Sequence, residues 1–220
     1  MTGAEPCRDC SLCPRLVAFR QENRGANPDW FNAPVPSFGD EDARLLIVGL
    51  APGLRGANRT GRPFTGDYAG VLLYGTLLKF GFACGDYGER ADDGLRLDRC
   101  MITNAVRCVP PQNKPETSEI NMCRQFLRQR ISVLPNLRAI VALGRIAHVA
   151  TLGALGLKLK DFPFGHGAVH RLPGRAMQIF DSYHCSRYNT NTGMLTPEMF
   201  ETVFSAVQTY LDPGDTRDVG

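Results

Sequence analysis

Apolar positions along this chain fall into two kinds of run. Arg44–Leu50, Cys100–Val106 and 138–143 (RAIVAL) are short and apolar almost throughout, and each leads into Gly, Pro or Asn. That is the pattern of strands buried on both faces. Between them lie longer segments with apolar residues at helical spacing. They cover Ala69–Phe82 with Gly81 near its end, a stretch from a Thr117 or Ser118 cap to about Leu134, and Arg145–Leu155 after a turn at Gly144. A short helix is expected over Pro14–Asn23, and a final amphipathic one from a Thr196 cap to about Leu211. Residues 168–172 and 176–182 read as a hairpin or last strand, 85–97 as a polar excursion, and 212–220 as a frayed tail. Strands alternating with helices predict an α/β sandwich on a largely parallel sheet, in one domain spanning 1–220. Ligands of such sheets sit at the carboxyl ends of the strands, so the loops after Leu50, Val106 and Ser182 should converge.

The first of those loops is the most suggestive stretch, RLLIVGLAPGLRGANRTGRPFTGDYAG at 44–70. Gly49, Gly53 and Gly56 allow close approach of backbone to a ligand, and Pro52 stiffens the turn. Arg55, Arg59 and Arg62 can hold phosphates, Phe64 can stack on a flat ring, and Asp67 is the acid nearest in sequence. The loop matches neither G-x-G-x-x-G nor a P-loop ending in GK[ST], which argues against a nucleotide-binding or redox protein of those types.

Composition narrows the class. A hydrophobic share of 43% argues against disorder, and the absence of an apolar run near the length of a bilayer argues against a membrane span. Met1–Pro6 has neither a basic start nor an apolar region, so an intracellular protein is expected. A net charge of +3 permits a local nucleic-acid patch without demanding one. The eight cysteines are more telling, since in a reducing compartment clustered cysteines mark metal or catalytic sites more often than disulfides. Cys7, Cys10 and Cys13 form C-x2-C-x2-C, and Cys108 and Cys123 flank a proline-rich loop and a helix start. All-thiolate ligation suits zinc or an iron–sulfur cluster, and spacing does not choose between them. Cys84, Cys100 and Cys185 read as buried free thiols.

Taken together, CSLCPRLVAFR at 10–20, GLAPGLRGANRTGRPFTGDYAG at 49–70, NAVRCVPPQNKP at 104–115, VALGRIA at 141–147, FGHG at 164–167 and SYHCSRYNTNTGMLT at 182–196 make the chain resemble a type-5 (family B) uracil-DNA glycosylase. The segments come in family order and cover about residues 10 to 210. The resemblance implies a three-layer α/β/α sandwich with a central, mostly parallel sheet, and one four-iron–four-sulfur cluster. Cys10, Cys13, Cys108 and Cys123 occupy the family's cluster positions, and Cys7 falls outside the pattern. The cluster would staple residues 1–39 to the loop after the second strand. The implied partner is DNA carrying uracil or other deaminated bases such as hypoxanthine, bound by a monomer in the cytoplasm, at the nucleoid when acting.

Breaking an N-glycosidic bond requires extruding the base, stabilising its departing charge and bringing water to the sugar. His184 is the candidate hydrogen-bond donor to the leaving base, and Asp67 the candidate for orienting or activating water, with helix capping as its structural alternative. Ala51 stands where many related glycosylases carry a polar residue, which places the load on Asp67. Asn113 and Asn104 are both candidates for reading the base, because an amide both donates and accepts. Arg55, Arg59, Arg62 and Arg187, with Asn189, Thr190 and Asn191, are expected on phosphates or in the vacated stack. His148, His166 and His170 read as structural or surface residues, with His166 able to line the groove. A damage-binding module without turnover is the rival from another class.

Overall fold

The computed structural model describes residues 3–213. The three apolar runs become the middle of a six-stranded sheet. In chain order its strands are β1 (Phe38–Gly39), β2 (Leu45–Gly49), β5 (Cys100–Asn104), β6 (Ala139–Leu143), β7 (Val169–Arg171) and β8 (Gln178–Ser182). In space they run β1-β5-β2-β6-β8-β7, with β5, β2, β6 and β8 parallel and the two edge strands antiparallel. Every residue of β2, β5 and β6 is buried, as expected of strands covered on both faces. A separate ribbon pairs β3 (Ala83–Cys84) with β4 (Arg96–Leu97).

Alternate residues of each strand face opposite layers. Leu45 and Ile47 pack with α3 (Tyr68–Lys79) and α7 (Pro197–Leu211), whereas Leu46 and Val48 pack with α4 (Thr117–Val133) and α5 (Arg145–Leu155). The result is the three-layer sandwich. A smaller cluster seats α1 (Pro14–Ala26) through Leu16 against Val106 and Phe126, beside Cys10, Cys13, Cys108 and Cys123. Two short helices, α2 (Ala57–Thr60) and α6 (Arg187–Asn191), lie in the loops after β2 and β8.

Several local features differ from the sequence reading. Glu116, not Thr117 or Ser118, occupies the cap of α4, because the Glu119 carboxylate reaches back to accept from the Glu116 N–H at 2.7 Å. Residues 85–97 are less polar in effect than in composition: β4 crosses them, and Asp93 turns inward to meet Arg62. Cys84 is exposed on β3, unlike Cys100 and Cys185, which are buried. The N-terminal segment is tied down by ion pairs, with Glu5 bound to Arg107 and Arg130. Of the expected tail, Asp212 pairs with Arg44 at 2.7 Å, and 214–220 lie outside the described residues.

Candidate active site

The loops after β2, β5 and β8 do converge, around a cavity of about 720 Å³. Ala51, Pro52, Gly53, Arg55, Phe64, Asp67, Asn104, Asn113, His184 and Arg187 all line it. Gly49 lies directly beneath: a Cβ there would come within 2.6 Å of the Phe64 ring, so only glycine lets that ring lie over the end of β2.

Phe64 has one edge in the hydrophobic core, with a backbone φ of +53°, and its ring stacks on His184 at 5.9 Å between centroids. It is therefore both core residue and pocket wall. The strained backbone is held from two sides: Tyr87, between β3 and β4, donates its Oη–H to the Phe64 carbonyl at 3.2 Å, and Gly70 of α3 packs on the same carbonyl group.

Asp67 combines the two roles weighed from sequence. Its Oδ1 accepts from the Gly70 N–H at 3.2 Å, which caps α3, while the carboxylate lines the pocket. Gly56 makes room for it, since a Cβ at that position would lie 3.0 Å from the Asp67 Cγ. Burial raises the Asp67 pKa above the usual carboxylate range, partly opposed by the backbone N–H groups of the helix start. Burial also lowers the His184 pKa, to about 4, so the imidazole is neutral at physiological pH and offers one N–H. The loop that carries it is held by Asn189, whose amide donates to the His184 carbonyl at 2.8 Å.

Asn104 and Asn113 occupy different levels. Asn104 is buried at the floor, and its Oδ1 has no hydrogen-bond partner among the described residues. Asn113 sits exposed at the rim in a left-handed conformation, with φ +56°.

Of the residues expected on DNA, Arg62 stands elsewhere. Arg62 is 4% exposed, forms two hydrogen bonds to Asp93 at 2.7 and 2.8 Å, and lies over the rings of Phe38, Tyr74 and Tyr87. Its guanidinium braces the pocket wall and does not face phosphates. Asn189 is committed to the His184 loop, and Arg59 donates to the Arg55 carbonyl at 2.9 Å beyond the cavity lining. Tyr68 and Ser186 line the pocket without having been singled out from sequence. Asp67 and the SYHCSR segment bracket both, so proximity in sequence was the available signal. Arg187 lies over the Tyr68 ring at 5.2 Å, joining the two loops at the mouth.

A second cavity lies behind the loop after β5. Cys10, Cys13, Cys108 and Cys123 line it together with Leu12, Leu16, Val106 and Phe126, while Cys7 is exposed and outside it. Among the described residues, no imidazole or carboxylate lines this space. Burial pushes the Cys108 thiol up to about 11 and that of Cys123 up to about 12. N–H groups are aimed at these sulfurs: Arg20 Nη1 donates to Cys108 Sγ at 3.5 Å and the Arg107 amide to Cys123 Sγ at 3.4 Å. The Arg20 Nε is buried without a partner, an orphan donor beside the sulfurs that a sulfide-bearing group would satisfy.

Comparison with known proteins agrees with this arrangement. The uracil DNA glycosylase superfamily model matches residues 36–208. The chain is 49% identical to the type-5 uracil-DNA glycosylase of Thermus thermophilus, over 87% of its own length and 89% of that protein. It is 41% identical to the type-5 enzyme of Mycobacterium bovis, covering 89% of this chain and 75% of that one. A type-4 uracil-DNA glycosylase from Pyrobaculum aerophilum is 32% identical over 82% of this chain and 79% of its own. With this match spanning β1 to α7, the chain belongs to the uracil DNA glycosylase superfamily.

Proposed function

We propose that this protein excises uracil, and with it other deaminated bases such as hypoxanthine, from DNA by hydrolysing the N-glycosidic bond, the first step of base excision repair. The observation that carries the reading is one pocket presenting a stacking ring, a free amide acceptor, a neutral imidazole and a buried carboxylate. Type-5 uracil-DNA glycosylases among its relatives support the substrate.

An extruded base enters over Phe64 and meets Asn104 at the floor, where the unpartnered Oδ1 accepts from a ring N–H. Asn113 closes the rim. The bond from the sugar C1′ to the base nitrogen breaks with its electron pair going to the base, and negative charge builds on a base carbonyl oxygen. The His184 N–H stabilises that charge, a contribution of about 3 kcal/mol for a preorganised donor. Asp67 orients a water whose oxygen bonds to C1′, and its carboxylate takes up the water's proton. The departed base anion is reprotonated by solvent. Arg55 and Arg187 contact phosphates at the mouth, fixing the duplex without reading sequence.

The four thiols, with the unpartnered Arg20 donor beside them, support an iron–sulfur cluster. A four-iron–four-sulfur cluster would be held by Cys10, Cys13, Cys108 and Cys123, supplying a rigid cross-link between the N-terminal segment, the loop after β5 and α4. That frame holds the loop after β5 beside the pocket, and the protein acts as a monomer on DNA. No helix among the described residues is long and apolar enough to cross a membrane.

The test is excision from duplex oligonucleotides carrying a single uracil or hypoxanthine, scored by alkaline scission at the abasic site. Cleavage at uracil is expected. Tight binding to the uracil duplex without base release, by protein retaining its cluster, would replace the reading with a damage-binding module.

A further inference from the structure

Three titratable side chains, two of them wholly buried and the third nearly so, stand outside both cavities and take no part in the chemistry above. Asp181 on β8 is wholly buried, and its Oδ1 accepts from Nδ1 of His148 on α5 at 2.8 Å. Its Oδ2 accepts from Nε2 of His170 on β7 at 2.9 Å and from the Gly165 N–H at 3.5 Å. The remaining nitrogen of His148 donates to the Phe162 carbonyl at 2.9 Å. A metal ion does not suit this group, because nitrogen and oxygen ligands of one ion stand about 3.3 Å apart in tetrahedral geometry. Here they are in direct hydrogen-bond contact instead.

With both its ring nitrogens donating, His148 is an imidazolium, and a buried ion pair of this kind is often no better for stability than apolar side chains of the same volume. What it supplies is fixed geometry. Through Phe162, Gly165 and His170 the network ties both ends of the 162–170 segment to β8 and α5. The backbone continues the tie, with the Asp181 N–H donating to the Ala168 carbonyl and the Gly167 N–H to the Asp181 carbonyl, both at 2.9 Å. The segment holds His166, whose Nδ1 accepts from the Tyr183 N–H at 3.1 Å and whose ring stacks on Tyr183 at 5.0 Å. His184 is the next residue. On the other flank, α5 starts at Gly144, whose N–H donates to the Ser182 carbonyl at 2.8 Å. The chain is thus gripped on both sides immediately before His184 enters the pocket.

We propose that the His148–Asp181–His170 network positions His184, making Asp181 a positioning residue for departure of the base. This rests on the reading of His184 as the group that stabilises the leaving base. Single-turnover excision of uracil from a duplex is to be measured for Asp181→Asn, for His184→Ala and for the double variant. Affinity is measured alongside on a duplex whose deoxyuridine carries a 2′-fluorine that blocks cleavage. Asp181→Asn is expected to lower the rate about tenfold or more, as for a catalytic group displaced by a fraction of an ångström, while affinity stays within about twofold. In the His184→Ala background it is expected to add nothing, because the two act as one unit. An unchanged rate, equal rate losses in both backgrounds, or a parallel loss of affinity overturns the proposal. Unimpaired excision by His184→Ala overturns instead the reading beneath it. Should Asp181→Asn not fold, His166→Phe tests the last link. It keeps a ring on Tyr183, removes the acceptor for its N–H and lies outside the base pocket. A rate loss absent from the His184→Ala background is again expected, and an unchanged rate overturns the proposal.

Discussion

The base pocket and the thiol cavity are built from the same loop and solve opposite problems. Asn104 ends β5 and faces the pocket, while Cys108, a few residues on, faces the thiols. The pocket is open and keeps its polar groups available: Asn104 Oδ1 is unpartnered, and His184 retains an N–H for a visitor. The thiol cavity is lined mainly by apolar residues, and burial raises the pKa of Cys13, Cys108 and Cys123, so a resident group that displaces their protons would stabilise it. A ligand that comes and goes is served by free polar atoms on a rigid floor. A permanent one is served by a closed cage.

The comparison breaks most visibly if a cage residue is removed. Cys123→Ser should abolish the visible absorbance of the proposed cluster and lower stability by roughly 3–5 kcal/mol, the range for losing a structural metal or cross-link. Limited proteolysis should then cut first within 1–39, where Glu5 with Arg107 and Arg130, and Arg15 with Glu119, are among the ties that remain. An unchanged unfolding midpoint would show that the thiols carry no structural load.

Pocket variants should show the opposite signature. His184→Ala and Asp67→Asn are each expected to slow single-turnover excision about a hundredfold or more, with cluster absorbance intact. Loss of absorbance in either would mean that the two cavities are not independent. Because Asp67 also caps α3, Asp67→Asn is the better choice than alanine: an amide oxygen still accepts from the Gly70 N–H.

Much of this was legible in the chain itself. Runs such as LLIVG and AIVAL read as buried parallel strands because no polar residue interrupts them, and the carboxyl-end rule then brought Asp67, Asn104 and His184 together. What escaped were features set by partners far away in sequence. Arg62 looks like its neighbours Arg55 and Arg59, and only the inward turn of Asp93 from an apparently polar excursion buries it. One missed contact is local: the Asn189 amide holds the His184 carbonyl, which the residue type alone does not announce. Asp181 sits in an apolar strand, and its meaning depends on two histidines from other elements.

A pH profile sharpens the contrast within the pocket. The Asp67 pKa lies above the ordinary carboxylate range, and Asp67 must be ionised to take a proton from water. The excision rate should therefore fall on acidification at a pH above that of an ordinary aspartate, and be flat through neutrality. With its pKa lowered to about 4, His184 adds no step near the usual histidine value of about 6.5. Its effect appears in stability instead. The unfolded chain binds a proton there before the folded one does, so stability present above about 6.5 is lost as pH falls toward 4. Thermal unfolding of His184→Gln should show a weaker dependence across that window. A rate profile with a step at histidine's ordinary value would contradict the neutral-donor assignment.

The smallest expected effect separates two arginines of one loop. Arg55 is exposed at the pocket mouth and Arg62 is buried against Asp93, although both follow β2 within the same glycine-rich stretch. Arg55→Ala should leave the unfolding midpoint essentially unchanged, within about 0.5 kcal/mol, as for most surface changes. It should weaken DNA binding irrespective of sequence and reduce the salt slope of binding by about one, the signature of a single lost phosphate contact. A salt slope that does not move would take Arg55 off the DNA. The mouth would then rely on Arg187, whose guanidinium lies over the Tyr68 ring and lines the pocket from the opposite loop.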